Sequence, residues 1–434
     1  MRIVHFSDLH IGVDAYGRPV VERDLAALPE WFAPGEPREA YLGHSTRLVD
    51  FLCAFDELIA YATADQVDLV LFSGDAYKSR EPSPTHQREF AKRVARLAAK
   101  GVPVFLLAGN HDLPHAAYKA AAIEIFQTLS VPSVTVAEVL RVYRVTMRSG
   151  PLQVLALPWV RRSAFLARDE VRNLPYPKQR DLMEQKIGEL LQAQAETLDP
   201  SLPAVLSAHV SLDTAKLGTE RSMMIGDDHI VHQSALTSLP VEYIALGHVH
   251  RRQELAQRPW TVYPGSLQRV DFGEEDHEAK GFYVVDLDPA ARQGERVRSV
   301  TFHPVAARAF VTVDVKVAEG DSDPTGLAIR EIERAPVKDA IVRVRVKLPA
   351  SAEPALHDRE IRQALDAHGA HSIASVTKDV ERPNRVRLAG AGTETRQPSE
   401  LLQAYFETRG TPPDRAAKLT SYAQRLMEEE AAEE

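Results

Sequence analysis

Short apolar runs alternate with helical patterns through the first 250 residues of the chain. The runs are nearly continuous in apolar, often β-branched residues, which is typical of strands buried on both faces of a sheet. We place strands at 3–6, 67–72, 102–107, 154–157, 204–206 and 243–246. We place helices at 46–64, 85–99, 116–129 and 182–198. This alternation predicts an α/β core.

Polar side chains follow directly on five of these runs. They are Asp8 and His10, then Asp75, then Asn110, His111 and Asp112, then His209, and finally His248 and His250. The carboxyl ends of strands in an α/β sheet converge on one crevice, so these side chains are expected to meet there. Carboxylate, imidazole and amide donors together suit Mn, Fe or Zn better than Ca. The pattern therefore predicts a metal site.

Each motif alone also has an ordinary structural explanation. An Asp after an apolar run commonly caps a turn, and a single histidine such as His209 is commonly a hydrogen-bonded core residue. His248 and His250 lie on one side of an extended segment, which suits ligands but also occurs in polar loops. The joint occurrence of all five motifs, each at a strand end, favours the metal site.

The order of the motifs D-x-H, G-D, G-N-H-D, a single His and G-H-x-H resembles that of the calcineurin-like metallophosphoesterase superfamily. The segments MRIVHFSDLHIG, DLVLFSGDAY, PVFLLAGNHDLP, EYIALGHVHRRQ and YPGSLQRVDFGEE resemble most the SbcD branch, the nuclease subunits of bacterial SbcCD DNA-repair complexes. The resemblance covers residues 1–285 strongly and the rest more loosely. It implies an α/β fold in which two sheets form a sandwich flanked by helices (αββα).

The resemblance implies a site for two divalent metal ions, usually assigned as Mn²⁺. It assigns Asp8, His10 and His250 to the first ion, Asn110, His209 and His248 to the second, and Asp75 to both. It makes His111 a catalytic residue that stabilises the transition state or protonates the leaving oxygen, with Asp112 orienting it. A turn-capping role for Asp112 stays open. Where many relatives carry a further histidine, three positions after Asp75, this chain has Lys78.

Residues 1–285 are the predicted nuclease domain, and the chain changes character from about residue 305. Residues 300–380 predict a small unit of order β-α-β-α-β, which the resemblance makes an α+β, DNA-binding capping domain. Residues 381–397 are polar and rich in Gly, Arg and Thr, as linkers are. Residues 398–434 predict a pair of amphipathic helices at the C-terminal end.

The apolar stripes of these two helices are predicted to dock on a partner, because short helices beyond a linker cannot bury such stripes alone. The stripe residues are Leu401, Leu402, Tyr405, Phe406, Leu419, Tyr422 and Leu426. The resemblance implies an SMC-like ATPase of the SbcC type as the partner, bound to a homodimer of this chain in a heterotetramer. Packing of the helices on this chain is the alternative. The sequence contains no GxxxxGK[ST] motif, so ATP dependence would come from the partner.

The formal charge of −9 excludes a uniformly basic nucleic-acid coat protein. Binding of DNA therefore requires local cations. The candidates beside the metal motifs and the PGS segment are Lys78, Arg251, Arg252 and Arg269. The basic stretches 86–100 and 161–180 are further candidates, although solvated helix faces explain them as well. The single cysteine, Cys53, fits a reducing cytoplasm, and no apolar run is long enough to span a membrane.

The resemblance implies a two-metal phosphodiesterase, namely a DNA 3′–5′ exonuclease and endonuclease that processes double-strand breaks and hairpins with its ATPase partner. The alternative is a metallophosphoesterase of the same superfamily that acts on nucleotides or other small phosphate esters, because the metal motifs are shared. A catalytically silent scaffold is disfavoured, because the set of Asp, Asn and His ligands is complete.

Overall fold

A computed structural model describes residues 1–114, 119–161, 174–216, 218, 230–274, 278–381, 402, 405, 406 and 411–433. One six-stranded sheet contains β1 (Arg2–Phe6), β2 (Leu69–Phe72), β3 (Val104–Leu107), β4 (Val134–Ala137), β13 (Gly281–Leu287) and β14 (Val297–Pro304). Its strand order is β14-β13-β1-β2-β3-β4. Strands β1 to β4 are parallel, whereas β13 pairs antiparallel with both β1 and β14.

A second six-stranded sheet contains β5 (Arg141–Met147), β6 (Gly150–Leu157), β7 (Ala204–His209), β10 (Tyr243–Gly247), β11 (Gln253–Gln257) and β12 (Trp260–Tyr263). Its strand order is β11-β12-β10-β7-β6-β5. The four central strands are parallel, and the edge strands β5 and β11 are antiparallel to their neighbours. A separate parallel pair is formed by β8 (Ser211–Leu212) and β9 (Ile230–Val231).

The two six-stranded sheets pack face to face. Leu71 and Phe105 of the first sheet share one buried cluster with Val205 of the second. Across the same interface, the ring centroids of Phe105 and Tyr143 lie 5.5 Å apart. The outer face of each sheet is also covered by apolar side chains, which explains why the central strands are apolar almost throughout. The predicted αββα sandwich is confirmed.

The helices are α1 (Glu22–Ala26), α2 (Thr46–Ala64), α3 (Pro84–Ala99), α4 (Ile125–Thr128), α5 (Tyr176–Ala195), α6 (Gln233–Thr237), α7 (Pro324–Arg334), α8 (Asp358–Ala367) and α9 (Pro413–Glu433). Short 3₁₀ helices lie at Arg38–Tyr41, Ala122–Glu124, Phe272–Glu274 and Glu353–Ala355. Helices α2 and α3 cover the first sheet, and α5 and α6 cover the second. Each helix in the described part of the chain is too short or too polar to span a bilayer.

The helix predicted at 116–129 is wrong over its described part. From residue 119 onward the chain forms only the 3₁₀ helix Ala122–Glu124 and the single turn α4, while 115–118 lie outside the described residues. Phe126 is buried, but Ile125 and Leu129 stay 46% and 68% exposed. An alanine-rich sequence favours helix locally, but tertiary packing decides the outcome, and here Ala121, Ile123 and Phe126 are buried from a short irregular path.

Residues 310–381 form a small domain with three parallel strands. These are β15 (Phe310–Lys316), β16 (Ile341–Pro349) and β17 (Ser372–Glu381), in the order β15-β16-β17. Helices α7 and α8 connect them in the predicted β-α-β-α-β order, because each helix carries the chain back across the sheet. Ile332, Val344 and Ile361 belong to a buried cluster between the strands and the helices. The small domain therefore has a hydrophobic core of its own.

The small domain contacts the sandwich through charged and aromatic side chains. Arg308, which precedes β15, donates to the carbonyl oxygen of Asp339 in the small domain at 2.8 Å, and its Nε lies 2.7 Å from Asp50 Oδ1 on α2. The ring of Phe310, at the start of β15, packs on the ring of Phe272 with centroids 4.9 Å apart. His371, directly before β17, is partly buried at this contact, and its carbonyl oxygen accepts a hydrogen bond from the sandwich. Polar groups therefore take part in seating the small domain.

The contact should weaken at acidic pH through His371. Burial and the Arg308 guanidinium lower the pKa of His371 to about 4, against the opposing carboxylate of Asp50. The pKa in an unfolded chain is about 6.5, so the unfolded chain takes up the proton first as the pH falls. The stability contributed by neutral His371 is therefore complete above about pH 6.5 and is lost as the pH falls towards 4. We expect His371→Asn to flatten this dependence of the thermal unfolding midpoint, followed by circular dichroism.

The control for this experiment is His357→Asn, because His357 is exposed on the same domain. This variant should keep the acid dependence of the wild type. An equally steep acid dependence in His371→Asn would contradict the assignment.

Candidate metal centre

Predicted site residues from five strands meet at one edge of the sandwich. Asp8 and His10 follow β1, Asp75 follows β2, Asn110 follows β3, His209 ends β7, and His248 and His250 follow β10. Strands β1, β2 and β3 are parallel neighbours in one sheet, and β7 and β10 are parallel neighbours in the other. The carboxyl ends of both sheets therefore face the same place, as the sequence predicts.

The first group of candidate ligands consists of Asp8, His10 and His250, whose ligand atoms lie within 4.8 Å of one another. The Nε2 atoms of His10 and His250 are 2.8 Å apart, and His10 Nε2 is 3.8 Å from Asp8 Oδ1. Two nitrogens bound at right angles to one ion, each about 2.1 Å from it, lie about 3 Å apart. The spacing of these two imidazoles fits a shared metal ion.

The second group consists of Asp75, His209 and His248, with Asn110 among them. Asn110 Oδ1 is 3.0 Å from both His209 Nε2 and His248 Nδ1. His209 Nδ1 donates to the carbonyl oxygen of Ser73 at 2.7 Å, so its Nε2 atom is turned towards the group. An amide oxygen, two imidazole nitrogens and a carboxylate form a donor set suited to a transition metal ion.

The carboxylate of Asp75 lies between the two groups. Its Oδ2 atom is 3.8 Å from His10 Nε2 in the first group and 3.4 Å from His209 Nε2 in the second. Its Oδ1 atom accepts a hydrogen bond of 2.8 Å from the backbone N–H of His111, which fixes the orientation of the carboxylate. A carboxylate so placed can bridge two cations about 3.5–4 Å apart.

The backbone at four of these residues lies in the left-handed region, which residues other than glycine seldom adopt. The φ angle is +53° at Asp8, +47° at His10, +65° at Asp75 and +96° at His248. Such conformations cost about 1–3 kcal/mol each, and they cluster at functional sites where the surrounding structure imposes them. The fold therefore holds this edge in a conformation that the local sequence alone would not choose.

Two glycines allow the motifs to approach one another this closely. Gly74 has φ +99°, and a Cβ atom there would lie 2.4 Å from His209 Nδ1. A Cβ atom at Gly109 would lie 2.1 Å from Asp75 Oδ1. No side chain fits at either position unless a candidate ligand moves. The glycines that precede Asp75 and Asn110 are therefore required for space.

A comparison with protein-family models agrees with this geometry. Residues 1–252, more than half of the chain, match the family described as calcineurin-like phosphoesterase. The chain belongs to the calcineurin-like phosphoesterase family. The matched residues include every member of the two ligand groups. The resemblance seen in the motifs is thereby confirmed at the level of the family.

Individual relatives within this family are nucleases and DNA-repair proteins. The SbcD subunit of the nuclease SbcCD from Bacillus subtilis is 24% identical over 67% of this chain and 67% of its own length. Its counterpart from Rhodobacter capsulatus is 27% identical over 59% of each chain. The DNA double-strand break repair protein Mre11 of Thermoplasma acidophilum is 24% identical over 93% of this chain and 89% of its own length. The chain thus spans between 59% and 89% of these relatives.

Burial and the charges of neighbouring side chains govern the pKa values in this phosphoesterase site. Burial raises the pKa of Asp8, and burial together with His250 holds the pKa of His10 well below its usual range. Burial would raise the pKa of Asp75, but the imidazoles around it hold that pKa well below its usual value. Burial would lower the pKa of His209, but the Asp75 and Asp8 carboxylates raise it to about 9. Divalent cations would replace protonated imidazoles as the partners of these buried carboxylates, so the residues fit a metal site.

His111 and Asp112 have separate functions in the structure. His111 Nδ1 donates to the carbonyl oxygen of Lys78 at 2.7 Å, which sets the orientation of the imidazole. The buried Asp112 carboxylate accepts three backbone hydrogen bonds instead. Its donors are the N–H groups of Asp75, Ala76 and Gly109, at 2.8, 2.9 and 2.9 Å. These contacts favour the turn-capping alternative, in which Asp112 holds the loop that carries Asp75, and the orientation of His111 by Asp112 stays a prediction.

The cations predicted to contact DNA have different surroundings. Arg251 is exposed directly after His250, and the Arg252 guanidinium lies 4.0 Å from the centre of the Phe302 ring. Arg269 is partly buried, and its guanidinium donates to three backbone carbonyl oxygens. These belong to Glu274, Glu278 and Arg308. The structure thus gives Arg269 a role in holding chain segments together, which the sequence did not indicate.

Two residues at the site were missed by reasoning from the sequence. The Trp159 ring packs on His248 with ring centroids 4.9 Å apart, and the Glu274 carboxylate accepts a hydrogen bond of 2.8 Å from His250 Nδ1. Metal-binding imidazoles usually have such a second partner. That rule directs attention to the acids that follow the PGS segment, but it does not select Glu274 among them.

We expect the purified chain to bind two Mn²⁺ ions and Asp75→Asn to bind them at least about tenfold more weakly, because Asp75 faces both ligand groups. His250→Asn should weaken one of the two binding events. Isothermal titration with Mn²⁺ measures both number and affinity. Asp181→Asn, whose carboxylate is 68% exposed on α5, is the control and should bind like the wild type. Unchanged binding by Asp75→Asn would show that this carboxylate is not shared.

Proposed function

We propose that the chain is a metal-dependent DNA nuclease that hydrolyses phosphodiester bonds, acting as a 3′–5′ exonuclease and endonuclease with two Mn²⁺ ions. The observation that carries the proposal is that the Asp75 carboxylate lies between the two ligand groups, 3.8 Å from His10 Nε2 and 3.4 Å from His209 Nε2, with His111 beside it. The names of the relatives, a nuclease subunit and a double-strand break repair protein, support DNA as the substrate. The proposed ligands are Asp8, His10 and His250 for one ion, Asn110, His209 and His248 for the other, and Asp75 for both.

The proposed mechanism gives separate tasks to Asp75 and His111. When bound, the two cations supply positive charge that stabilises the attacking and departing oxygens of the phosphodiester. Asp75 keeps the two ligand groups at a fixed spacing. The carbonyl oxygen of Lys78 holds the His111 ring through Nδ1, and burial lowers the pKa of that imidazole. Because Nδ1 faces that carbonyl oxygen, Nε2 is the ring atom left to pass a proton, so we assign proton transfer to the departing oxygen to His111 Nε2.

Contact with the DNA backbone is assigned to the cations nearest the site. They are Lys78, Arg251 and Arg252. The basic stretch 86–100 offers less free charge than its sequence suggests, because Arg93 and Arg96 both pair with the buried carboxylate of Asp56. Within the stretch 161–180, residues 162–173 lie outside the described part of the chain. Phosphate contacts of this kind position DNA without reading its sequence.

We expect the purified chain to degrade linear duplex DNA in the presence of Mn²⁺. His111→Leu should lower the rate about 100-fold or more and retain Mn²⁺ binding, because general acid catalysis contributes about 10²–10⁴ in rate. Gel electrophoresis of end-labelled DNA measures the rate. His232→Leu, at a histidine that is 65% exposed, is the control.

A different result would favour the other function within the family. Wild-type protein that leaves DNA intact but hydrolyses nucleotides or another small phosphate ester would contradict the nuclease proposal. Hydrolysis of a small phosphate ester would still agree with membership of the calcineurin-like phosphoesterase family.

The proposal includes an SbcC-type ATPase that docks on the C-terminal helices. Leu419, Tyr422 and Leu426 follow one another at helical spacing on α9 and are 40%, 61% and 65% exposed. Such an apolar row suits docking against another helix or a groove. Of the preceding predicted helix, Leu402, Tyr405 and Phe406 are helical, and Leu401 lies outside the described residues.

We also propose a homodimer within a heterotetramer, in the cytoplasm. Exposed Ile125 and Leu129 on and beside α4 offer apolar surface for contact between two copies. The single Cys53 is compatible with a reducing compartment.

We expect removal of residues 398–434 to end co-purification with the SbcC-type ATPase and to leave Mn²⁺-dependent DNA cleavage intact, because the proposed metal ligands and His111 all precede residue 251. Tyr422→Asp combined with Leu426→Asp should have the same effect through the apolar row alone. Gln424→Asp, which lies on another side of α9, is the matched control. Co-purification of the shortened chain with the ATPase would contradict the docking proposal.

A further inference from the structure

Three buried polar side chains surround His250 on the side away from the other ligands. Glu274 Oε1 accepts a hydrogen bond of 2.8 Å from His250 Nδ1. The other carboxylate oxygen of Glu274 lies 2.6 Å from Lys280 Nζ and 2.5 Å from Ser266 Oγ. The relative exposure of Glu274 is only 8% and that of Lys280 only 6%. The carboxylate therefore has a fixed place, because moving it would leave a buried ammonium unpaired.

The same side chains also hold the backbone of His250. Lys280 Nζ and the Ser266 N–H both donate to the carbonyl oxygen of His250, at 3.0 and 3.1 Å. With Nδ1 bound to Glu274, the imidazole presents Nε2 to His10. The position of Glu274 therefore sets the position of the His250 ligand atom.

Glu274 belongs to a three-residue 3₁₀ helix that begins with Phe272. The Phe272 ring packs against Phe310 of the small domain, with centroids 4.9 Å apart, and the Arg343 guanidinium of the small domain lies 4.4 Å from its centre. Only Gly273 separates the residue that contacts the small domain from the residue that holds His250.

Arg269 adds a second link between the same parts. Its guanidinium donates to the carbonyl oxygen of Glu274 at 3.2 Å and to that of Arg308 at 3.3 Å. The Arg308 side chain pairs with Asp50 of the sandwich and donates to the carbonyl oxygen of Asp339 in the small domain at 2.8 Å. A shift of the small domain therefore acts on the Phe272–Glu274 helix through an aromatic contact and through a hydrogen-bonded one.

We propose that the Phe272–Glu274 helix couples the contact between the small domain and the sandwich to the position of His250. The affinity of the first ligand group for its metal ion then depends on the packing of Phe310 and Arg343 on Phe272. Glu274 is in this view a positioning residue, since it acts through His250. The inference rests on the proposed metal site. It extends that proposal by giving the small domain an effect on metal binding that requires no direct contact between the small domain and the ion.

The direct test is the Mn²⁺ affinity of Glu274→Asp, measured by isothermal titration on the full chain. This variant keeps a negative charge for Lys280 but shortens the side chain, so that the carboxylate no longer reaches His250. We expect an affinity about tenfold lower at one of the two Mn²⁺ positions, as is usual when the partner of a ligand histidine is removed. Circular dichroism at the titration temperature confirms that the variant is folded.

The decisive test removes the contact on the small domain. Phe310→Ala and Arg343→Ala each weaken the packing on Phe272 and touch no candidate ligand. We expect each to lower the Mn²⁺ affinity about fivefold or more. Arg345→Ala changes a neighbouring arginine of β16 that is 51% exposed and pairs with Asp314, so it should bind Mn²⁺ like the wild type. The use of two separate substitutions keeps the test informative if one of them fails to fold.

The double variant Glu274→Asp with Phe310→Ala distinguishes coupling from general damage. If the helix transmits the effect, Phe310→Ala adds no further loss of affinity once Glu274 no longer reaches His250. Unchanged affinity in both Phe310→Ala and Arg343→Ala, or losses that multiply in the double variant, would overturn the inference. Wild-type protein that binds no Mn²⁺ would overturn the metal proposal and this inference together. Wild-type protein that binds Mn²⁺, with unchanged affinity in both small-domain variants, would overturn this inference alone.

Discussion

The carboxylate of Asp75 faces both groups of candidate ligands, and much of the structure serves to hold it there. The Asp112 carboxylate binds the loop that carries Asp75, and the His111 N–H donates a hydrogen bond to Oδ1 of Asp75. The buried core between the two sheets fixes the strands from which the ligands project. Because carboxylates collected in a buried place repel one another, a cation that binds there also stabilises the fold around it. Metal binding and the packing of this edge are therefore linked.

The position of the site could be predicted from the sequence because each contribution is short and local. Every ligand motif directly follows an apolar run, and the ends of parallel strands converge whatever connects them. The partners of Asp112 and Glu274 could not be predicted, because a carboxylate in the sequence does not show which distant donor it meets. Asp112 reaches the backbone of Asp75, 37 residues earlier, and Glu274 reaches His250, 24 residues earlier.

Some parts of the fold could not be predicted from the sequence because they also depend on distant contacts. The edge strands β5 and β14 have exposed positions and lack the continuous apolar run of a central strand, so they did not stand out. The 116–129 segment has helical composition, but the exposure of Leu129 is decided by tertiary packing. Local charge was equally uninformative: Arg93 in a basic stretch and Arg47 in α2 are both buried and neutralise carboxylates of the fold. The count of cations therefore says little about the charge available to a ligand.

The need for glycine at positions 74 and 109 limits how a site of this kind can be changed or redesigned. Atoms of His209 occupy the space that a side chain at Gly74 would need, and atoms of Asp75 occupy the space that one at Gly109 would need. The loops that carry the candidate ligands are therefore packed directly against one another. A loop taken from another phosphoesterase would have to match the path of its neighbours as well as the identity of its ligand. The ligand-bearing loops after β1, β2, β3, β7 and β10 can therefore be exchanged between proteins only as a complete set. A single loop motif moved alone would not fit its neighbours.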